Sequence, residues 1–199
     1  MPIPFLVIIG GPPGSGKTTL GRRIAADLKL PFVHKDGIKE ALFGRLGGNT
    51  VEASRNLGRA SYDVLYHFME TLLRAGCSHV VESNFDAGHA SPVFRDFGRR
   101  FAFAPIQVLC RADGDTLLER VRARAASGER HPAHLDAVIH RETPDLLRRE
   151  ALAPLAVEGP VIEIDTTDFA CVDHDQILGA VRAAVAAAAR ERLRSEESV

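Results

Sequence analysis

Short, uninterrupted apolar runs alternate along this chain with longer stretches in which apolar residues recur every three or four positions. Residues 5–9, Phe-Leu-Val-Ile-Ile, have the continuous apolarity of a strand covered on both faces. Leu20, Ile24 and Leu28 then fall on one helical face. A short strand is predicted at 31–34, a short helix at 38–43 and a loop at 44–50. A long helix follows over 52–74, with Leu57, Val64, Leu65, Phe68 and Leu72 as its apolar stripe and Gly76 just past its end. Further strands are predicted at 79–82, 105–110 and 161–165, and helices at 116–126 and about 174–194. This alternation is that of βαβ units wound around a parallel sheet. Residues 128–144 are polar, rich in His and Arg and interrupted by proline, and read as a lid within about 122–145. The Glu/Ser tail reads as a frayed end.

Composition adds limits. With 199 residues, 45% hydrophobic and 26% charged, the chain suits one globular α/β domain spanning 1–199. A formal net charge of −1 excludes wholesale electrostatic attraction to nucleic acid or an acidic membrane, leaving room only for a local basic patch. Cys77, Cys110 and Cys171 are odd in number and widely spaced, which fits a reducing cytoplasm rather than a disulfide or zinc framework. The start of the chain lacks the marks of a signal peptide, and no apolar run has the length of a membrane span.

The strongest chemical signal follows the first strand. Gly11-Pro12-Pro13-Gly14-Ser15-Gly16-Lys17-Thr18 fits G-x-x-x-x-G-K-[ST], between a predicted strand and a predicted helix, where such a loop cradles phosphate. Glycines let the backbone curl so that amides converge on phosphate oxygens. Pro12 and Pro13 have no N–H to give. The expected donors are therefore the amides of Gly14, Ser15, Gly16, Lys17, Thr18 and Thr19, at the positive end of a helix. Lys17 is positioned for the β- and γ-phosphates and the Thr18 hydroxyl for Mg²⁺. A nucleoside triphosphate is the implied ligand. No N-K-x-D guanine reader is present, since Lys35-Asp36 has the wrong spacing and follows the wrong strand, so the expected nucleotide is ATP.

The segment from Gly10 to Leu20, Asp36 after the second strand and the Arg120-x-x-x-Arg124 pair before a polar lid together resemble the P-loop kinases. Among these the chain is most similar to the AAA_33 or zeta-toxin-like group, which includes chloramphenicol phosphotransferase-, gluconate kinase- and polynucleotide kinase-like members. The resemblance spans about residues 5–165. It implies a three-layer α/β P-loop NTPase fold with a five-stranded parallel sheet and a small lid. It implies ATP and Mg²⁺ as cofactors, and transfer of a phosphoryl group to a hydroxyl of a small molecule such as a sugar, nucleoside or antibiotic. Asp36 corresponds to the residue that accepts the proton of the attacking hydroxyl; the competing use is a helix N-cap. Glu82, after the third strand, stands where such relatives hold magnesium, often with Asp-Ala-Thr-Asn in place of Glu-Ser-Asn. Magnesium and acceptor are equal readings for Glu82.

Arg120 corresponds to the arginine that stacks on adenine and Arg124 to the one that grips the transferring phosphate; the alternative is an exposed helix face paired with Glu119 or Asp115. Thr166, in the Asp165-Thr166-Thr167 loop, lies where relatives touch the base through loop backbone. Arg130 is placed to close over the phosphates. Asn84, Arg59 and its neighbour Arg55 are acceptor-side candidates, against a turn for the Asn84–Asp86 run and a solvated helix face for the two arginines. His131, His134 and His140 lack a zinc pattern and read as lid residues. The expected partners are ATP and an unidentified hydroxylated small molecule, with the chain a monomer or homodimer and neither nucleic acid nor membrane among its partners. A polynucleotide 5′-hydroxyl kinase would want stacking aromatics, and the chain has 6% aromatics and no tryptophan. An ATP-binding regulatory or toxin-like module is the reading from another class.

Overall fold

The computed structural model describes residues 3–128, 130–135 and 153–196, the last six as backbone alone. Its sheet has five parallel strands in the order β2-β3-β1-β4-β5. These are β1 (Phe5–Gly10), β2 (Phe32–His34), β3 (His79–Glu82), β4 (Ala104–Arg111) and β5 (Val161–Asp165). Strand β1 is central, pairing with β3 through Ile9↔Glu82 and with β4 through Ile9↔Val108.

Because side chains alternate along a strand, β1 divides its apolar residues between two cores. Leu6 and Ile8 pack with Val81 against α3 (Val51–Arg74) and α4 (Ala87–Arg100). Val7 and Ile9 pack with Val80, Val108, Cys110 and Ile164 against α1 (Lys17–Leu28) and α6 (His174–Glu196). Both faces are thereby covered, and each fully buried Leu or Ile contributes roughly 1.5–3 kcal/mol of transfer free energy. The α/β architecture and the five parallel strands expected from the sequence are present. No described helix is long and apolar enough to cross a membrane.

Several expectations change. The helix read at 38–43 is longer: α2 is Lys35–Leu46 and begins directly after β2, so the loop before α3 is reduced to residues 47–50. Helix α3 buries Ser54, Leu57, Ser61, Leu65, Met69 and Leu73. This stripe is rotated from the expected one, leaving Phe68 exposed. Two serines interrupt its apolarity, and both hydroxyls are satisfied locally or across the fold. Helix α4 has no counterpart in the sequence reading. It carries Pro92 beyond its first turn and two glycines, yet Asp86 caps it and Ala90, Phe94 and Phe97 are buried in the core. Tertiary burial outweighs poor local propensity there. The start assigned to the lid is helical, since α5 (Gly114–Ala126) runs through 122–126; residues 136–145 and His140 lie outside the described residues.

Candidate active site

The carboxyl ends of β1, β2 and β3 meet on one rim of the sheet, and the loop after β1 leads straight into α1. Gly11, Gly14 and Gly16 have φ of 154°, 86° and 75°, values that L side chains rarely adopt. A Cβ on Gly11 would stand 2.7 Å from the Cys110 carbonyl, so the close approach of β4 adds a second reason for glycine. Gly16 is the N-cap of α1 and offers no side-chain cap, leaving the first-turn amides to another acceptor. The Ser15 amide is turned back to Pro12 O at 3.2 Å, unlike the other expected donors. Its hydroxyl is buried without a partner. The Lys17 ammonium crosses the loop to Pro12 O at 3.3 Å.

The next residue of the loop ties it to the adjacent strand. The Thr18 hydroxyl donates to Glu82 Oε2 at 2.7 Å, across 64 residues of sequence. Glu82 is 3% exposed, so its carboxylate is turned inward to the loop.

Asp36 is the second residue of α2. The cap of that helix is His34, whose Nδ1 accepts from the Gly37 amide at 3.0 Å. The N-cap role weighed for Asp36 is therefore filled by another residue, and its carboxylate is turned to a cationic cluster. Lys35 lies 3.4 Å away, Arg130 3.3 Å and His134 4.0 Å. Burial opposes ionisation of Asp36, but Lys35, His134, Arg130 and Lys17 outweigh it and hold the carboxyl well below the usual carboxylate range.

Beside this cluster runs a polar network that the sequence did not single out. Ser83 Oγ donates to the Tyr62 hydroxyl at 2.9 Å, which donates to Asn84 Oδ1 at 3.1 Å. Burial raises the Tyr62 pKa against the Ser83 bond, and the charges of Asp36, Glu82 and Asp86 add to the rise, so the phenol stays protonated. The Lys35 ammonium lies 5.7 Å from the centre of the Tyr62 ring. Residues 130–135 are fastened to α2 and α3 as well. His134 Nε2 is 3.0 Å from Glu40, Ser54 Oγ donates to Ala133 O at 3.0 Å, and buried Lys39 donates to Ser54 at 2.8 Å.

Among the other expected residues, Arg120 lies against the phosphate loop, donating to Gly14 O, Thr166 O and Thr167 O. Arg124 is one turn further along α5 and half-buried. Arg59 is exposed, 3.3 Å from Asn56 on its own helix. Asp86 serves as the α4 cap. The structure thus brings together the loop, Glu82, Asp36, Arg130, Asn84 and Arg120 on one rim, with Arg59 turned to solvent. Tyr62, Ser83 and Lys35 were missed. Lys35 and Ser83 carried a positional hint, since they stand next to Asp36 and between Glu82 and Asn84.

A parallel sheet with a phosphate loop after its central strand, a Thr-carboxylate pair and a cationic carboxylate cluster on the same rim define a P-loop kinase-like nucleotide-binding protein. The chain belongs to the AAA_33 family, whose sequence model, described as an AAA domain, matches residues 6–146. The solved structure of a candidate kinase from Chloroflexus aurantiacus is 37% identical, with a TM-score of 0.85 over 91% of this chain and 98% of that one. Shikimate kinase from Bradyrhizobium diazoefficiens is 31% identical over 126 residues, 60% of this chain and 54% of the relative, so the chain spans about half of that relative's length. A gluconokinase from Sinorhizobium meliloti shares the fold at 17% identity and a TM-score of 0.54, covering 98% of this chain and 99% of that one.

Proposed function

We propose that the chain is an ATP-dependent phosphotransferase that moves the γ-phosphoryl group to a hydroxyl of a small molecule. The observation that carries this reading is Asp36, a carboxylate with Lys35 at 3.4 Å, Arg130 at 3.3 Å and His134 at 4.0 Å, just past the end of β2 on the rim that carries the phosphate loop. Gly14, Gly16, Lys17, Thr18 and Thr19 hold the triphosphate at the positive end of α1. Thr18 and Glu82 are hard oxygen donors 2.7 Å apart, a pair whose chemistry suits Mg²⁺. No group of three or more His, Cys, Asp or Glu among the described residues is arranged to hold a metal. Magnesium does not need one here, because phosphate and water complete its shell. When bound, Mg²⁺ supplies neutralisation of phosphate charge.

Asp36 accepts a hydrogen bond from the attacking hydroxyl and aims its lone pair at the γ-phosphorus. The proton passes from the hydroxyl to Asp36 late, as the new O–P bond forms and ADP leaves, so orienting the hydroxyl is the main contribution of Asp36. That suits a loose transition state, in which positioning and charge neutralisation do most of the work. Lys17, Arg124 and Arg130 take up charge on the transferred group. Asn84, whose Oδ1 accepts from Tyr62, has its amide donors left to offer the acceptor. The kinase relatives support the reaction class. The three free thiols suit a reducing cytoplasm.

The test is incubation with γ-labelled ATP and separate pools of hydroxy acids (shikimate and gluconate included), sugars, nucleosides, aminoglycosides and oligonucleotides. Label on a small-molecule pool is the expected result. Label on oligonucleotides alone makes the chain a polynucleotide kinase. ATP turnover without a labelled acceptor makes it a regulatory ATPase.

A further inference from the structure

Lys35 flanks Asp36 and has no other task in the transfer described above. It opens α2 directly after β2, and its side chain is only 15% exposed. Among the described residues its ammonium has one hydrogen-bond acceptor, Asp36 Oδ1 at 3.4 Å, and it otherwise lies over the Tyr62 ring. That acceptor is shared, because Arg130 donates to Asp36 Oδ2 at 3.3 Å. The carboxylates of Glu82 and Glu40 face Thr18 and His134. An ammonium has three protons to give, so those not aimed at Asp36 are left for water or a ligand.

Asn84, reached through the same tyrosine, is also set to give protons. The Tyr62 hydroxyl donates to its Oδ1 at 3.1 Å, and Tyr62 is itself held by Ser83, which is 2% exposed. The N–H groups lie on the opposite branch of the amide and have no partner among the described residues. A neutral hydroxyl that accepts from such donors brings a proton of its own, which needs an acceptor in turn. A carboxylate or a phosphate brings lone pairs alone, and hydrogen bonds to it are the stronger kind.

The transfer step adds to this preference. The acceptor's hydroxyl oxygen forms the new O–P bond, the bond from the γ-phosphorus to the β-phosphate oxygen breaks, and ADP leaves with that electron pair. The hydroxyl proton passes to Asp36, which becomes neutral. Lys35 thereby loses the carboxylate it faces, at a place where water reaches little of its side chain. An oxyanion carried by the acceptor keeps the ammonium paired through the step.

We propose that the acceptor is a hydroxylated oxyanion, a hydroxy acid or a sugar phosphate, whose charged oxygens are held by Lys35 with the Asn84 amide beside them. This deepens, and rests on, the reading of the chain as a phosphotransferase. Neutral polyols leave Lys35 without a counter-charge once Asp36 is protonated, and cationic aminoglycosides are repelled by it. Tyr62 is a positioning residue, acting through Asn84.

The experiment starts from a deproteinised bacterial small-molecule extract, separated before the reaction into anionic, neutral and cationic fractions. Each is incubated with the full chain, Mg²⁺ and γ-labelled ATP. Label is expected on a compound from the anionic fraction alone. Phosphatase treatment of that fraction beforehand tells the two sources apart, since a hydroxy acid survives as acceptor and a sugar phosphate does not. The labelled acceptor is then compared with its uncharged counterpart, the methyl ester of the acid or the dephosphorylated sugar. The charged form should lead in kcat/KM by about ten- to a hundredfold, the scale of one charge-assisted hydrogen bond. Lys35→Gln should bring the two forms within about threefold of each other, and Lys35→Arg should restore the preference. Tyr62→Phe should narrow it by raising KM for the charged form. Calorimetric binding of MgATP checks that each variant is folded. Label on a compound from the neutral or cationic fraction overturns the proposal. An equal loss on both forms in Lys35→Gln overturns it too, by making Lys35 a support for Asp36 alone. No label from any fraction, with MgATP bound, brings down the phosphotransferase reading together with this one, whereas label on a neutral compound removes only this one.

Discussion

The phosphate side and the acceptor side of the site are built from different materials. On the phosphate side the working groups are backbone amides, and their geometry is fixed by three positive-φ glycines, two prolines and a helix start within eight residues. On the acceptor side the working groups are side chains held by other side chains. Arg130 meets Asp36, and His134 meets Glu40, each across 94 residues of sequence. A backbone cradle tolerates little change in its few residues and is indifferent to the rest of the chain. A side-chain cluster can be altered one member at a time, and each member's contribution depends on the others.

The largest effect separating the two sides is expected from Lys17→Ala. It removes the loop's only mobile positive charge, and phosphoryl transfer should fall by about a thousandfold, the scale of losing a main electrostatic stabiliser. Calorimetry should show nucleotide binding weakened in parallel. Transfer within tenfold of the parent would mean that the loop is not where the triphosphate is held. Asp36→Asn should come next, lowering kcat by about 10²–10³ while ATP affinity stays within about threefold. If ATP binding collapsed with kcat, the two sides would be one electrostatic unit and the contrast drawn above would fail.

The same contrast decides what could be read from sequence. The loop at 11–18 was legible because its chemistry lies in backbone conformation, and glycine and proline announce backbone conformation locally. Strand β1 was legible because burial on both faces leaves an unbroken apolar run. On the acceptor side, Asp36 was found by resemblance, with Lys35 and Ser83 beside named residues, but the long-range part of its surroundings was not, because no spacing in sequence links Asp36 to Tyr62 and residues 130–134. His34 illustrates the point: as a capping residue it is uncommon, and only the structure reveals that it releases Asp36 from that duty. Helix α4 was illegible for a related reason. Its glycines and Pro92 argue against a helix, and the packing of Phe94 and Phe97 that overrides them is a property of the assembled core.

A smaller effect is expected where the 130–135 segment is pinned down. Ser54 is 1% exposed and bridges the Lys39 ammonium to the Ala133 carbonyl. Ser54→Ala leaves both without that hydroxyl and should cost about 1–3 kcal/mol of stability, read as a lowered urea midpoint with an unchanged slope. ATP affinity should stay unchanged while KM for the acceptor rises several-fold. An unchanged midpoint with unchanged KM would show that the segment's attachment does not depend on this bridge.

The finest test concerns protons. Asp36 has its folded pKa depressed below the ordinary aspartate value of 3.8, with burial opposing the shift and Lys35, His134, Arg130 and Lys17 prevailing. Its contribution to stability is therefore present above that ordinary value and is lost as pH falls through the folded one. The acid limb that Asp36 imposes on kcat should likewise lie below 3.8. Arg130→Met keeps much of the side chain's length and removes one of the four charges. The limb should then move up towards the ordinary value, and kcat at neutral pH should fall as well, because Arg130 also takes up charge on the transferred group. A limb that stayed in place would assign the low pKa to Lys35, His134 and Lys17 alone. A limb already above 3.8 in the parent chain would mean that burial, rather than the cationic ring, governs Asp36, and that the carboxylate is the stronger base of the two possibilities.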